Sequence, residues 1–163
     1  MNYAEIYEKT GGKIRNRPEA VTAVKAADRF LTAVFYLIYP ITVGYGFWMH
    51  LSYRYFLILV PGISFVVVSA FRHLVNRRRP YEASGITPLW HKDTRGHSFP
   101  SRHVFSSAVI AMTLCRIHLP SGMILLVLSG VEGVIRVIAG VHYPSDVTAG
   151  WIIGVLCGFM YWL

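Results

Sequence analysis

Long apolar stretches separated by short polar connections make up most of the chain from residue 30 onward. A helix needs roughly 20 apolar residues to cross a bilayer, and short connections favour antiparallel neighbours. The pattern therefore predicts an all-α, polytopic membrane helix bundle with about five transmembrane helices. The predicted spans are residues 30–49, 55–75, 104–115, 121–140 and 145–163.

The first 29 residues have a different pattern, in which charged and small apolar residues alternate. From Glu19 onward, apolar residues recur at the spacing of one helix face. We predict that residues 1–29 form an interfacial segment whose amphipathic helix leads into the first span; a solvated tail is the alternative. Residues 30–163 then form the bundle, so residues 1–163 are predicted to be one membrane-embedded domain.

Composition excludes an ordinary soluble domain, because 54% of the 163 residues are hydrophobic and only 15% are charged. The net charge of +8 could suggest nucleic acid. Many of the Lys and Arg residues flank apolar stretches, however, so we expect the lipid bilayer as partner and no nucleic acid. Cys115 and Cys157 lie inside apolar stretches, and we expect no disulfide between them.

Polar clusters occur at three helix ends, and the first follows the second predicted span. Arg72 and Arg79 are seven residues apart, about two helical turns, so both can project from one helix face. Two guanidinium groups on one face repel each other unless an anion lies between them. A positively charged flank that stops transfer is the alternative, and it accounts for Arg77 and Arg78.

The second cluster, residues 98–103, immediately precedes the third predicted span. Ser98 can cap this helix and Pro100 can start it, which would place the amides and hydroxyl around Ser101 at a helix N-terminus. Such a terminus is a natural oxyanion site. A capped helix with two incidental polar residues is the alternative.

The third cluster runs from Arg136 to Asp146. Pro144 predicts a helix start, with His142 just outside the helix and Asp146 in its first turn. The carboxylate could then accept the N–H of one imidazole nitrogen and leave the other free as a nucleophile. An Asp stabilised by a helix N-terminus beside an incidental His is the alternative.

Antiparallel spans place all three clusters on one face of the membrane, where ionisable groups are costly enough to indicate function. Arginines, imidazoles and a carboxylate together are typical of a phosphate site. The predicted site residues are Arg72, Arg79, Ser101, His103, Arg136, His142 and Asp146.

The order and spacing of these motifs over residues 72–146 resemble the three-part signature of the type-2 phosphatidic acid phosphatase superfamily. The resemblance implies a lipid phosphate phosphatase that needs no metal or other cofactor. It implies that His142 forms a phosphohistidine, that Asp146 orients His142, and that His103 protonates the leaving alkoxide. The phosphoryl oxygens would be held by Arg72, Arg79, Ser101 and Arg136.

Three residues depart from the family pattern: Arg72 replaces the usual Lys, Ile135 replaces a Ser, and Arg102 replaces a Gly. Arg102 could add charge near the substrate, and it favours the alternative of a non-catalytic protein that binds phospholipid headgroups. The superfamily resembles vanadium haloperoxidases in its site residues. Those enzymes are larger and soluble, so the apolar spans disfavour a haloperoxidase-like activity here. Phosphatidate, phosphatidylglycerophosphate and polyprenyl diphosphate all remain possible substrates, and the oligomeric state stays open.

Glu132 is a further candidate, because it lies four residues before Arg136 on the same predicted helix. That spacing and order favour an ion pair, which would fix the arginine side chain toward the phosphate. The alternative is a protonated, merely packed carboxyl group.

The distribution of charge predicts which side of the membrane holds the site. Of sixteen Lys and Arg residues, only Arg54 and Arg116 fall on the face opposite the clusters. We therefore expect an integral protein of the cell membrane with its site and N-terminus in the cytoplasm. Relatives in the family usually face the outside or a lumen.

Overall fold

The computed structural model describes residues 3–163, which form helices joined by turns and loops, with no strand in that range. The all-helical prediction is confirmed. The elements are α1 (Tyr3–Tyr7), a π-helical turn (Glu8–Gly12), α2 (Lys13–Arg15), α3 (Pro18–Trp48), α4 (Phe56–Val75), α5 (Pro80–Ala83), α6 (Arg102–Ile117), α7 (Leu119–Ile138), α8 (Pro144–Gly158) and a 3₁₀ turn (Phe159–Trp162).

The helix α3 differs from the prediction. It begins at Pro18 and continues for 31 residues, so the amphipathic segment and the first predicted span are one helix. The amphipathic segment therefore leads into the first span without a break, and its place at the membrane interface stays a prediction. The physical reason is local: no Gly or Pro occurs between residues 19 and 39 to end the helix.

Residues before α3 pack onto the loops at one end of the bundle. Tyr7 is 1% exposed, and its hydroxyl donates a hydrogen bond to the Thr87 carbonyl at 2.6 Å. The hydroxyl of Tyr3 donates to the Val137 carbonyl at 3.1 Å. A solvated tail is therefore wrong for the part of this segment that the structure describes; residues 1 and 2 lie outside it.

The helix α6 lies at the centre of the bundle, in contact with α3, α4, α7 and α8. Two of its buried polar side chains are satisfied within the bundle: the Ser107 hydroxyl donates to the Val104 carbonyl at 3.1 Å, and Thr113 Oγ1 lies 2.7 Å from the Tyr161 hydroxyl. The last two residues of the second cluster, Arg102 and His103, form the first turn of this central helix.

A row of glycines holds α8 close against α6. Gly150, Gly154 and Gly158 recur every fourth residue and are all buried. A Cβ atom added at Gly150 would lie 2.6 Å from the Ser101 carbonyl oxygen, so only glycine allows this approach. The Ser101 amide donates to the Asp146 carbonyl at 2.8 Å, which brings the N-termini of the two helices together.

Three helical segments are long and apolar enough to cross a membrane. They are α3 (Pro18–Trp48), the segment Phe56–Ala83 that contains α4 and α5, and α7 (Leu119–Ile138). Large apolar side chains point outward from them, for example Leu37, Val66 and Val127, each about two-thirds exposed. Such a surface fits lipid rather than water. The chain is therefore an integral membrane protein, whereas the count of about five spans stays a prediction because α6 and α8 have only 16 and 15 residues.

Candidate active site

Asp146 is the most thoroughly bonded carboxylate of the site. It is fully buried in the first turn of α8, which begins at Pro144 as predicted. Its Oδ2 accepts hydrogen bonds from the Ser98 hydroxyl at 2.5 Å and the Tyr143 amide at 3.0 Å, and its Oδ1 lies 2.7 Å from Arg77 Nη1. Three donors hold this carboxylate in one orientation.

His142 lies beside that carboxylate, in the turn between α7 and α8. Its Nδ1 is 3.5 Å from Asp146 Oδ2 and 3.4 Å from the Ser98 hydroxyl, so Nε2 is the ring nitrogen left for chemistry. Burial lowers the pKa of His142 from 6.5 to about 4, although the hydrogen bond that its Nδ1–H donates to Asp146 acts in the opposite direction. The imidazole is therefore neutral at physiological pH, as a nucleophile must be.

Arg72 and Arg79 are both buried and anchored to backbone carbonyls. Arg72 Nη1 donates to the Pro100 carbonyl at 2.5 Å and Nη2 donates to the His97 carbonyl; Arg79 Nε donates to the Gly96 carbonyl at 3.1 Å. These contacts hold the loop of residues 96–100 against the arginines.

The predicted reason for the proximity of these two arginines was wrong. They do not share a helix, because α4 ends at Val75 and Asn76 adopts a left-handed conformation with φ of 40°. Arg79 follows in an extended conformation. Both guanidinium groups nevertheless act electrostatically on His142, so the turn brings them to the same place.

Ser98 and Arg77 are site residues that the sequence analysis misassigned. Ser98 does not cap α6, whose N-cap is Ser101, and its hydroxyl bonds to Asp146 instead. Arg77, assigned to a stop-transfer flank, reaches Asp146 and lies over the Tyr143 ring at 4.3 Å. No local signal separates Arg77 from Arg78, since the contact spans 69 residues.

Arg136 lies in a buried network on the α3 side of the site. Its Nε is 2.9 Å from Asp28 Oδ1 and its Nη2 is 3.6 Å from Glu132 Oε1. The expected neighbour Glu132 is therefore present, but the shorter ion pair is with Asp28, which the sequence analysis missed. Thr32 Oγ1 joins the network by donating to Glu132 at 3.1 Å.

The residues at the start of α6 have three different environments. Ser101 is fully buried, and its hydroxyl has no hydrogen-bond partner among residues 3–163. His103 is half-buried; burial first, and then Arg136 and His142, lower its pKa from 6.5 to about 3, so it can hold a proton only once an anionic substrate offsets these charges. Arg102 is exposed, with its guanidinium 5.5 Å from the Phe65 ring centre.

Two cavities meet at His103. One, of about 450 Å³, lies between α3, α4 and α6 and has a largely apolar lining that includes Phe35, Tyr39 and Phe65. The other, of about 510 Å³, lies between α3 and residues 90–92 and has a charged lining. Within residues 3–163 no three His, Cys, Asp or Glu side chains cluster as metal ligands do.

Comparison with known proteins adds a family and a fold. The model of the PAP2 superfamily matches residues 52–163. The chain is 40% identical over 67 residues to the bacitracin transport permease protein BcrC of Bacillus licheniformis, covering 40% of the chain and 33% of that protein. It is 30% identical over 102 residues to an undecaprenyl-diphosphatase of Sulfolobus acidocaldarius, covering 60% of the chain and 48% of that protein. The chain thus spans less than half the length of these curated relatives.

Two solved structures are similar over most of the chain. The crystal structure of LpxE from Aquifex aeolicus has a TM-score of 0.57 and 25% identity, covering 86% of this chain and 93% of that one. The transmembrane PAP2 type phosphatidylglycerolphosphate phosphatase from Bacillus subtilis has a TM-score of 0.71 and 24% identity, covering 97% and 83%. The second likeness supports the fold alone.

Proposed function

The chain belongs to the PAP2 superfamily, and on that premise we propose that it is a metal-independent lipid phosphatase acting through a phosphohistidine. The substrate is a membrane lipid that carries a phosphomonoester or a diphosphate. The single observation that carries the proposal is the buried, neutral His142 held against Asp146 among buried arginines.

In the first step, Nε2 of His142 attacks the phosphorus atom. An N–P bond forms as the ester P–O bond breaks, and the electron pair leaves on the lipid oxygen, which His103 protonates. Asp146 accepts a hydrogen bond from Nδ1–H, so Nε2 is the unprotonated nitrogen. The same carboxylate stabilises the cationic ring that develops during attack.

Phosphoryl transfer spreads charge over three equatorial oxygens, so fixed cations and amides aimed at those oxygens are the main catalytic device. Arg72, Arg79 and Arg136 are 7%, 8% and 3% exposed and lie around His142 and His103. The buried Ser101 hydroxyl, which has no partner among residues 3–163, is a further donor at the start of α6.

In the second step, a water molecule attacks the phosphohistidine. The neutral His103 imidazole left by the first step takes one proton from that water, the P–N bond breaks, and inorganic phosphate departs. His142 returns to its neutral form. The apolar cavity between α3, α4 and α6 suits the hydrocarbon chains of the lipid during both steps.

Hydrolysis of phosphatidate by the purified protein in mixed micelles with EDTA tests the proposal. Wild type is expected to release phosphate, and His142→Ala to lose at least about 10³-fold in kcat. Quenching wild type with ³²P-labelled substrate in alkaline SDS is expected to trap a protein-bound label that is stable to base, labile to acid and absent from His142→Ala. Full activity of His142→Ala would overturn the mechanism.

Arg102 bears on the alternative of a non-catalytic headgroup-binding protein. The glycine usual at this position in the family permits close approach of the backbone to an anion. Arg102 is the first residue of α6, and its side chain extends toward Phe65. Its backbone is helical, so its amide points out of the N-terminus of the helix as a glycine amide would. Phosphate binding without any turnover in the assay above would decide for the alternative.

We further propose that the chain crosses the cell membrane several times, with the site on the cytoplasmic side. Arg54 and Arg116, the two cations of the opposite face, sit on Tyr55 and Tyr53 at 4.9 and 4.0 Å from the ring centres. All the other Lys and Arg residues lie on the face that holds the site, and the cytoplasmic face of a membrane protein is usually the one richer in these residues.

Cysteine labelling in intact cells tests this orientation, in a variant that lacks the two native cysteines. Thr94→Cys lies in the exposed loop on the site face, and Ser52→Cys is its exposed counterpart on the opposite face. A membrane-impermeant maleimide is expected to label the second and not the first. Labelling of the first alone would reverse the orientation.

A further inference from the structure

The charged cavity between α3 and residues 90–92 is not accounted for by the phosphate that is transferred. Four cations and one carboxylate line it, together with His103, and these groups are Lys25, Asp28, Arg29, Lys92 and Arg136. Asp28 is already committed to Arg136 at 2.9 Å. The cavity therefore holds a surplus of positive charge beside the candidate general acid.

Three of the four cations that line this cavity form no ion pair with an acidic side chain of residues 3–163. Among residues 3–163, none of the ion pairs within 4.0 Å involves Lys25, Arg29 or Lys92. Burial lowers the pKa of Lys92, repulsion from Arg136 and Arg79 lowers it further, and attraction to Asp28 opposes them only in part. One carboxylate does not balance four cations, and a bound anion lowers the repulsion that remains.

The position of His103 shows which part of a substrate would meet these cations. His103 lines both the apolar cavity and the charged cavity. In the proposed function it protonates the oxygen that leaves, so both cavities lie on the side of the leaving group. The leaving group then has an apolar part for one cavity and an anionic part for the other.

We propose that the charged cavity binds a second phosphate, carried by the lipid leaving group. This inference rests on the proposed function and names its substrate class: a lipid with two phosphates, of which the terminal one is removed. A prenyl diphosphate and a glycerolipid with a phosphodiester next to a terminal phosphomonoester share this chemistry. A lipid with a single phosphomonoester, such as phosphatidate, leaves the cavity without its anion.

The main test compares kcat/KM on phosphatidate, phosphatidylglycerophosphate and a polyprenyl diphosphate in a nonionic detergent. Lys92→Gln is expected to lower kcat/KM on at least one two-phosphate lipid about 10- to 100-fold more than on phosphatidate, since a hydrogen bond to a charged group is lost. Lys25→Gln and Arg29→Gln extend the test to the mouth of the cavity. Arg17→Gln is the matched control, since Arg17 is exposed and lies outside this lining.

The substrate panel separates the two sources of the second phosphate. A selective loss confined to the polyprenyl diphosphate identifies a diphosphate site, and one confined to phosphatidylglycerophosphate identifies a phosphodiester site. Equal losses on all three lipids, or none, would overturn the inference, because the cations would then act on the transferred phosphate or on the micelle surface.

A binding measurement keeps this test separate from that of the proposed function. Inorganic pyrophosphate and phosphate are titrated calorimetrically into wild type and Lys92→Gln. Wild type is expected to bind pyrophosphate about tenfold more tightly than phosphate, and the variant to lose that preference. Wild type inactive on all three lipids would refute the proposed function, whereas the absence of a pyrophosphate preference would refute the second site alone.

Discussion

Replacing Arg77 by Gln tests how much catalysis depends on the orientation of Asp146. Among residues 3–163, the Arg77 guanidinium is the only Lys or Arg group within 4.0 Å of the Asp146 carboxylate, and it lies 2.7 Å from Oδ1. Without it, Oδ2 keeps the Ser98 hydroxyl and the Tyr143 amide. The carboxylate therefore stays buried but loses its charged donor and gains freedom to rotate.

The structure bounds the size of the effect. A hydrogen bond between charged groups contributes about 1.5–3 kcal/mol. The Arg77 side chain is 38% exposed, so water replaces part of this contribution and the lower half of that range applies. We expect kcat to fall about 10- to 30-fold, with KM nearly unchanged, because Arg77 acts on the nucleophile through Asp146.

The assay is steady-state hydrolysis of phosphatidate in mixed micelles, with Arg78→Gln as the matched control. Arg78 is the exposed neighbour, and no ion pair with it occurs among the described residues. It is expected to keep kcat within about twofold. A rise in KM with unchanged kcat for Arg77→Gln would refute the reasoning, since Arg77 would then bind the substrate rather than position Asp146.

Three further predictions follow from the packing and charge of the site. Glu132→Gln is expected to lower kcat/KM and to weaken inhibition by phosphate, each about 3- to 10-fold. The loss is modest because Asp28 still forms its ion pair with Arg136. No change in either quantity would leave Glu132 without a functional role. Gly154→Ala places a Cβ atom 2.7 Å from the Phe105 carbonyl oxygen and should lower the free energy of unfolding by about 1–3 kcal/mol. The control Gly130→Ala, whose Cβ meets nothing within 4 Å, should not be destabilised. Equal melting temperatures of the two variants would contradict this prediction. Because burial lowers the pKa of His142 from 6.5 to about 4, its ¹⁵N NMR signals should stay those of a neutral ring from pH 7 to 5. The stability that the neutral ring contributes should be present above pH 6.5 and be lost as the pH falls toward 4. An NMR titration midpoint near pH 6.5 would contradict the burial argument.

The sequence by itself determined the features of this protein that depend on neighbours along the chain. Apolar runs predict the long helices, and Pro144 predicts the start of α8 with Asp146 in its first turn, because a helix start is decided by local backbone chemistry. His142 and Asp146 could be paired on that basis alone. The spacing of Glu132 and Arg136 likewise predicts neighbours on one helix.

Only the tertiary structure decided which side chains complete the site. Ser98 meets Asp146 across 48 residues, and Asp28 reaches Arg136 from the far end of the chain. Arg72 and Arg79 converge through a left-handed turn at Asn76 rather than along one helix. Such contacts depend on how closely helices approach, as at the glycines of α8, and helix periodicity carries no information about the partner across the interface.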